Sequence, residues 1–176
     1  MLFRSIEGAE RTRDIVDALK RFSAVDKAAP EEVDLNEVIE RSVRWVTRSG
    51  PGLFAVDLDL PPAMRCRGSS GQLQQVVMNL VQNACDATAE RADARLRISG
   101  EIAEQQIVLR FADNGPGIPE VNLAHIFEPF FTTKPVGQGT GLGLSISYGI
   151  VERHGGSLSA GNRSQGGAEF VLRLPL

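Results

Sequence analysis

Apolar positions along the chain change rhythm several times, and each change marks an element. Ile6, Ala9, Val16, Leu19 and Phe22 recur at helical steps, while Arg4, Glu7, Glu10, Arg11, Asp14 and Lys20 fill the other faces. This spacing predicts a helix over 1–26. It begins almost at Met1 with no capping segment before it, so we expect a cut end there. The polar stretch from Asp26 to Glu32, broken by Pro30, predicts a linker over 27–32. Asn36 then caps a predicted helix through Val38, Ile39, Val43 and Val46. Phe54–Leu60 switches to period two, with Val56, Leu58 and Leu60 opposite Asp57 and Asp59, and reads as a strand ended by Pro61 and Pro62.

Residues Gly71 to Glu90 return to helical spacing, with Leu73, Val76, Leu80, Ala84 and Ala87 as the core stripe. Leu96–Ile102 and Ile107–Ala112 predict an antiparallel pair with its turn near Ala103, Glu104 and Gln105. From Asp113 to Gly143 the chain is rich in glycine and proline and shows no convincing helix over most of its length. About 30 residues is long for a plain connection, which points to function. A helix over Leu144–His154, ended by Gly155 and Gly156, precedes a closing hairpin of Ser157–Ala160 and Glu169–Leu174. Three helices and about five strands predict a two-layer α/β sandwich. Its sheet is mixed but mostly antiparallel, the three helices cover one face, and the N-terminal helix stands in addition.

Composition narrows the partners. The 176 residues fit one domain with a short appendage, and 42% hydrophobic content is enough for a core. Nineteen basic against 22 acidic residues leave a net charge of −3, so no basic field gathers nucleic acid or an acidic membrane. Aromatic content of 6% also offers no base-stacking platform. Cys66 and Cys85 have no CxxC spacing and no histidine companion, and we read both as reduced packing cysteines in a cytoplasmic protein. With no apolar run of about 18 residues and no signal peptide, we expect a soluble chain.

Four stretches carry candidate chemistry. On the helix after Gly71, Gln75, Asn79, Asn83 and Asp86 share a face at i, i+4, i+8 and i+11. Asparagine is a mediocre helix former, so two of them one turn apart need a reason. Either their amide oxygens ligate Mg²⁺ beside substrate phosphates, or the face is merely solvated. Asp113-Asn-Gly-Pro-Gly-Ile118 follows a strand. Its carboxylate suits an exocyclic amine and Gly115 and Gly117 admit a flat ring, although an Asx turn is the plainer alternative.

Gly137-Gln-Gly-Thr-Gly-Leu-Gly143 opens a helix, and such a run supplies bare N–H groups and a positive dipole end for phosphate. It lacks the Lys-Ser/Thr pair of a P-loop and follows no strand as a dinucleotide-binding turn would. A flexible linker is the alternative, weakened by the helix that follows at once. In Ile126-Phe-Glu-Pro-Phe-Phe-Thr-Thr-Lys134, Phe127, Phe130 and Phe131 offer anchors to the core. Lys134, one of only three lysines, is either a terminal-phosphate contact or an ordinary surface cation.

Taken in order, Asn79-x-x-x-Asn83, Asp113-x-Gly-x-Gly, Phe127-Glu-Pro-Phe and Gly139-Thr-Gly-Leu-Gly-Leu144 match the N box, first glycine box, F box and second glycine box of bacterial sensor histidine kinases. The chain resembles that family over 33–176, and the resemblance implies the Bergerat (GHKL) ATPase sandwich. It implies ATP or ADP and Mg²⁺ between the N-box helix and the long loop, the ATP lid. Asn83 would be the main Mg²⁺ ligand with Asn79 beside it, and Asp113 would bind the adenine amine. Gly115, Gly117 and Ile118 would shape the adenine pocket, and Lys134 would meet the terminal phosphate. Gly139, Thr140, Gly141, Leu142, Gly143 and Leu144 would hold phosphates, and Asp86 and Phe127 would complete the nucleotide site.

Residues 1–26 resemble the second helix of the dimerisation (DHp) hairpin, which makes 33–176 the ATP-binding catalytic domain. Two departures stand out. The position where many relatives carry Ser or Thr near the closing strand is Ala168 here, which removes one expected adenine contact. The phosphoacceptor box is also missing, since neither His125 nor His154 has its neighbours, and we expect both to be structural. The implied activity is transfer of the ATP γ-phosphoryl group to a histidine on a DHp hairpin, for relay to a response regulator receiver domain. The parent would be a homodimer, and its anchoring in the inner membrane is left open.

Rival readings are a hydrolytic ATPase of the same fold and an anti-sigma-like serine kinase or nucleotide-binding module. The hydrolytic relatives place a glutamate where this chain has Asn79, and the DHp-like helix disfavours the second.

Overall fold

The computed structural model describes residues 30–49, 54–135 and 139–176, so the helix expected over 1–26 lies outside the described residues. Strand β1 (Glu31–Asp34) occupies two positions read above as linker, because its backbone pairs antiparallel with β3 (Arg65–Gly68). Helix α1 (Leu35–Ser49) follows without a gap. The cap expected of Asn36 belongs instead to Asp34, whose Oδ1 accepts the Glu37 N–H at 3.2 Å. Asn36 sits one position inside the helix and donates to the Pro61 carbonyl at 3.0 Å.

The main sheet has five strands in the order β2-β4-β5-β7-β6, where β2 is Ala55–Asp59, β4 Arg95–Ala103, β5 Gln106–Asp113, β6 Ser157–Asn162 and β7 Ala168–Pro175. Only the β2–β4 pair is parallel, and helix α2 (Ser70–Ala87) lies in the connection between those strands. The β4–β5 hairpin turns on Glu104 and Gln105, both left-handed with φ of 51° and 62°, as a two-residue turn between twisted strands requires. Helix α3 (Glu120–Leu123) is a single turn inside the long loop, and α4 (Gly143–Arg153) closes it.

Period two divides the sheet into two faces. Leu96, Ile98, Ile107, Leu109, Phe111, Leu158, Phe170, Leu172 and Leu174 point into one core with the apolar faces of the helices. The other face is charged, with ion pairs Arg95–Asp57, Arg97–Asp59, Arg110–Glu101 and Arg110–Glu169. Those side chains stay between 34% and 68% exposed, so each pair adds at most about 1 kcal/mol. Each fully buried aliphatic or aromatic side chain contributes roughly 1.5–3 kcal/mol, so the core decides the fold.

Helix α2 is the centre of that core. It begins at Ser69, whose hydroxyl accepts the Gln72 N–H, two residues earlier than its glycine suggested. Its buried stripe is wider than predicted. Val77, Val81 and Cys85 are buried beside Leu73, Val76, Leu80 and Ala84, while Ala87 is exposed. The helix packs against α1 on one flank and α4 on the other as well as on the sheet, so three directions bury it. Among the described residues no helix is long and apolar enough to cross a membrane.

Candidate functional site

The polar side of the second half of α2 faces the long loop. At the middle of the helix the Asn79 amide donates to the Gly143 carbonyl and to Ser147 Oγ, both at 3.0 Å. Because the Gly143 carbonyl only accepts, the amide nitrogen must face α4 and Oδ1 is left turned away from it. Two turns on, Asp86 accepts from Gln82 at 2.7 Å and from Lys134 of the loop. At the end of the helix, a side chain on Gly115 would lie 3.1 Å from the Ala87 carbonyl. The loop therefore runs alongside α2 in the opposite direction, touching it at Gly115, Lys134 and Gly143. Asn83 lies in the middle of this row, half-buried, with no hydrogen bond to protein among the described residues. An amide in that position has its full bonding capacity free for a ligand.

Asp113 ends β5 and is buried to 3% exposure. Its Oδ1 accepts the Gly115 N–H at 2.8 Å and the Ala168 N–H at 3.1 Å. No described protein group donates to Oδ2, so half of the carboxylate remains available. Oδ2 is not sealed off and can meet a group that enters the site, since among the described residues the one enclosed side-chain polar atom without a partner is Asn36 Oδ1. Ala168 therefore does stand beside this site, but it acts through its backbone. Asn114 serves structure, since its side chain holds the Arg95 N–H at 2.9 Å and the Asp93 carbonyl at 2.8 Å. Gly117 turns at φ 81°, and both main-chain polar groups of the next residue, Ile118 N–H and C=O, are taken by Asn162.

The second glycine run is shaped by close approach. Gly141 adopts φ 67°, and a Cβ there would fall 2.4 Å from the Phe130 carbonyl carbon, so only glycine fits. The Gly141 carbonyl accepts the Phe130 N–H at 2.9 Å, and Phe130 itself is left-handed at φ 69°. Thr140 Oγ1 accepts the Leu142 N–H at 3.3 Å. Leu142 is buried at 5% exposure, so its side chain serves the core and only its backbone faces the loop, while Leu144 is partly buried against the same core. The first intrahelical bond of α4 runs from Ile146 N–H to Leu142 C=O, and Leu142 supplies no side-chain cap. The N–H groups of Gly143, Leu144 and Ser145 thus lack helical partners, at the positive end of the helix dipole. Gly139 sits against Thr132 and Lys134. Phe127 packs on the core and on Tyr148, ring centroids 5.3 Å apart.

Lys134 does not stand free. It pairs with Asp86, each side chain about one-third exposed, which ties the loop to α2. The histidines are structural in their surroundings. His154 bonds the Ile150 carbonyl through Nδ1 at 2.8 Å and accepts the Ser69 N–H at Nε2 at 3.1 Å, joining the end of α4 to the start of α2. These partners place a proton on Nδ1 and make Nε2 the acceptor. His125 pairs with Glu128 at 2.8 Å on the surface of the loop. Burial pushes the Cys66 thiol up to about 11, and burial together with Asp86 raises Cys85, so neither is a thiolate near neutral pH.

Comparison with known proteins places this arrangement. Residues 68–176 match the family described as histidine kinase-, DNA gyrase B- and HSP90-like ATPases. The two-component sensor PprA of Pseudomonas aeruginosa is 45% identical over 72% of this chain and 15% of its own length. The catalytic domain of histidine kinase ThkA superposes with a TM-score of 0.72 at 34% identity, covering 84% of this chain and 96% of that one. ThkA in complex with response regulator protein TrrA gives a TM-score of 0.73 at 29% identity, over 95% of this chain and 48% of that one.

The chain belongs to the histidine kinase-, DNA gyrase B- and HSP90-like ATPase family. Within that family it is an ATP-binding domain of the kind carried by sensor histidine kinases. It spans 15–32% of the length of the first three curated relatives it matches.

Proposed function

We propose that this chain is the catalytic part of a sensor histidine kinase, binding Mg²⁺-ATP between α2 and the loop from Asp113 to Gly143. The observation that carries the reading is the Asp113 carboxylate, buried, with Oδ1 fixed by two backbone N–H groups and Oδ2 uncommitted. That oxygen is suited to an adenine exocyclic amine, with Gly115, Gly117 and Ile118 around the ring. The phosphates then extend along α2 toward α4. There Gly139, Thr140, Gly141, Leu142, Gly143 and Leu144 present backbone, and the α4 N-terminus offers unpaired N–H groups. Phe127, packed on Tyr148, anchors the loop over them.

Asn83 fits a cation because its side chain has no protein partner among the described residues, and Asn79 fits beside it because its nitrogen is turned to Gly143, leaving Oδ1 for a metal. When bound, Mg²⁺ neutralises phosphate charge. Lys134 supplies a further positive charge for the terminal phosphate once it exchanges Asp86 for that oxygen. Phosphoryl transfer depends on such placement more than on covalent participation by the protein.

The acceptor would be a histidine on a DHp hairpin of the same or a partner subunit in a homodimeric parent. The phosphoryl group would then pass to a response regulator, as the ThkA–TrrA complex suggests for its own chain. We place the domain in the cytoplasm. Calorimetric titration of ATP tests the metal half of the reading. Asn83→Ala is expected to lower affinity at least tenfold with Mg²⁺ and to have little effect in EDTA, roughly the 1.5–3 kcal/mol of a bond to a charged group. Equal losses under both conditions would make Asn83 structural.

A further inference from the structure

The hairpin end that closes the sheet, from Asn162 to Ala168, reaches back to the segment between Asp113 and Ile118 across 44 to 55 residues. Asn162, the last residue of β6, makes two reciprocal bonds to the backbone of one residue. Its Oδ1 accepts the Ile118 N–H at 2.7 Å and its Nδ2 donates to the Ile118 carbonyl at 2.6 Å. This imitates one rung of a sheet ladder where no strand exists. Arg163 donates from Nη1 to the Asp113 carbonyl at 2.9 Å, and the Ala168 N–H holds Asp113 Oδ1. Gly167 lies so close that a Cβ there would fall 2.0 Å from the Asp113 carbonyl oxygen.

Both ends of the segment from Asp113 to Ile118 are thus tied to one hairpin. Removing the Asn162 and Arg163 bonds would leave Oδ1 on its two backbone N–H groups but release the Asp113 carbonyl and the Ile118 wall to shift relative to a bound base.

We propose that Asn162 and Arg163 are positioning residues that set base specificity, by holding the backbone of Asp113 and of Ile118, the two ends of the turn beside the carboxylate, in register with the purine edge. The inference rests on the adenine reading of Asp113. A fixed carboxylate accepts from the 6-amino group of adenine and repels the 6-oxo group of guanine. A carboxylate displaced from that register along with its backbone weakens the first interaction and relieves the second. Neither side chain touches the nucleotide in this scheme, so their removal changes discrimination and leaves phosphate binding alone.

The test is calorimetric titration of the 176-residue chain with ATP, and competition of GTP against ATP, for wild type, Asn162→Ala, Arg163→Ala and Arg163→Lys. Losing both Asn162 bonds is expected to weaken ATP about tenfold while changing GTP less than about twofold, so the ATP preference shrinks several-fold. Arg163→Ala moves the same ratio by a smaller factor, and Arg163→Lys, which keeps a donor, restores much of it. A merely structural role would lower both affinities in the same proportion, and that result overturns the proposal, as does unchanged ATP affinity. Should Asn162→Ala fail to fold, the Arg163 pair carries the same test. Asp113→Asn serves as the reference. If it leaves ATP binding unchanged, the adenine reading and this inference both fall. If it weakens ATP while the Asn162 and Arg163 variants do not, only this inference falls.

Discussion

Replacing Asp113 by asparagine changes one atom at the centre of the site and leaves its scaffold in place. In the wild type, Oδ1 accepts two backbone N–H groups, from Gly115 at 2.8 Å and Ala168 at 3.1 Å. An asparagine keeps both if its amide oxygen takes the Oδ1 position, which those two donors enforce. Its nitrogen then replaces Oδ2 and presents hydrogens to the adenine amine, donor against donor. The loss is that of a hydrogen bond to a charged group, roughly 1.5–3 kcal/mol, or about ten- to hundredfold in affinity. Fold stability should change little, because neither N–H is orphaned. Asp113→Ala is the contrasting control. It strands both N–H groups in a site only 3% exposed at Asp113, at roughly 1–3 kcal/mol for each unsatisfied donor. Calorimetry with ADP and urea unfolding, on both variants, separate the effects. Unchanged ADP affinity in Asp113→Asn would refute the adenine assignment. An asparagine variant as unstable as the alanine variant would refute the scaffold argument.

The remaining expectations concern the scaffold. His154→Ala removes the acceptor for the Ser69 N–H and the ring packed against Gly68, and is expected to cost about 1–3 kcal/mol in urea unfolding without selective loss of nucleotide binding. An unchanged midpoint would show that the link between α4 and α2 is decorative. Cys66, whose thiol burial pushes to about 11, stays protonated and shielded at pH 8, where an unfolded thiol already begins to ionise. Its labelling by a thiol reagent should therefore track unfolding, and fast labelling of the native chain at pH 8 would contradict the burial. The raised value also means that the protonated form is favoured by the fold, so this group's contribution to stability is lost as pH rises from about 9 toward 11.

Long amphipathic elements were legible because one face dominates their composition. The β4–β5 and β6–β7 hairpins and helices α2 and α4 lie within a few residues of where their spacing puts them. The pair β1–β3 was not legible. Each strand has four residues, Glu-Glu-Val-Asp and Arg-Cys-Arg-Gly, too short to show period two above their charges, and they pair across the whole of α1 and β2. A single helical stripe omits Val77, Val81 and Cys85, which are buried because neighbours approach α2 from three sides, and includes Ala87, which is exposed at the last position of the helix.

At the site, Asn79, Asn83 and Asp113 were visible because polar residues at such positions contradict simple packing. Lys134 was visible too, but nothing in the sequence revealed its pairing with Asp86, 48 residues away. Asn162 and Arg163 were missed for the same reason. A polar pair at a hairpin turn is ordinary locally, and only the fold brings it to Ile118 and Asp113.

The central claim is that this chain supplies nucleotide and geometry while another segment supplies the acceptor. Phosphoryl transfer tests it most directly. The chain is mixed with γ-³²P-ATP, Mg²⁺ and a separately prepared histidine-bearing dimerisation hairpin of its parent. The account predicts acid-labile, alkali-stable label on the hairpin histidine and none on this chain. Label on His125 or His154, or ATP binding with no transfer to the hairpin, would contradict it.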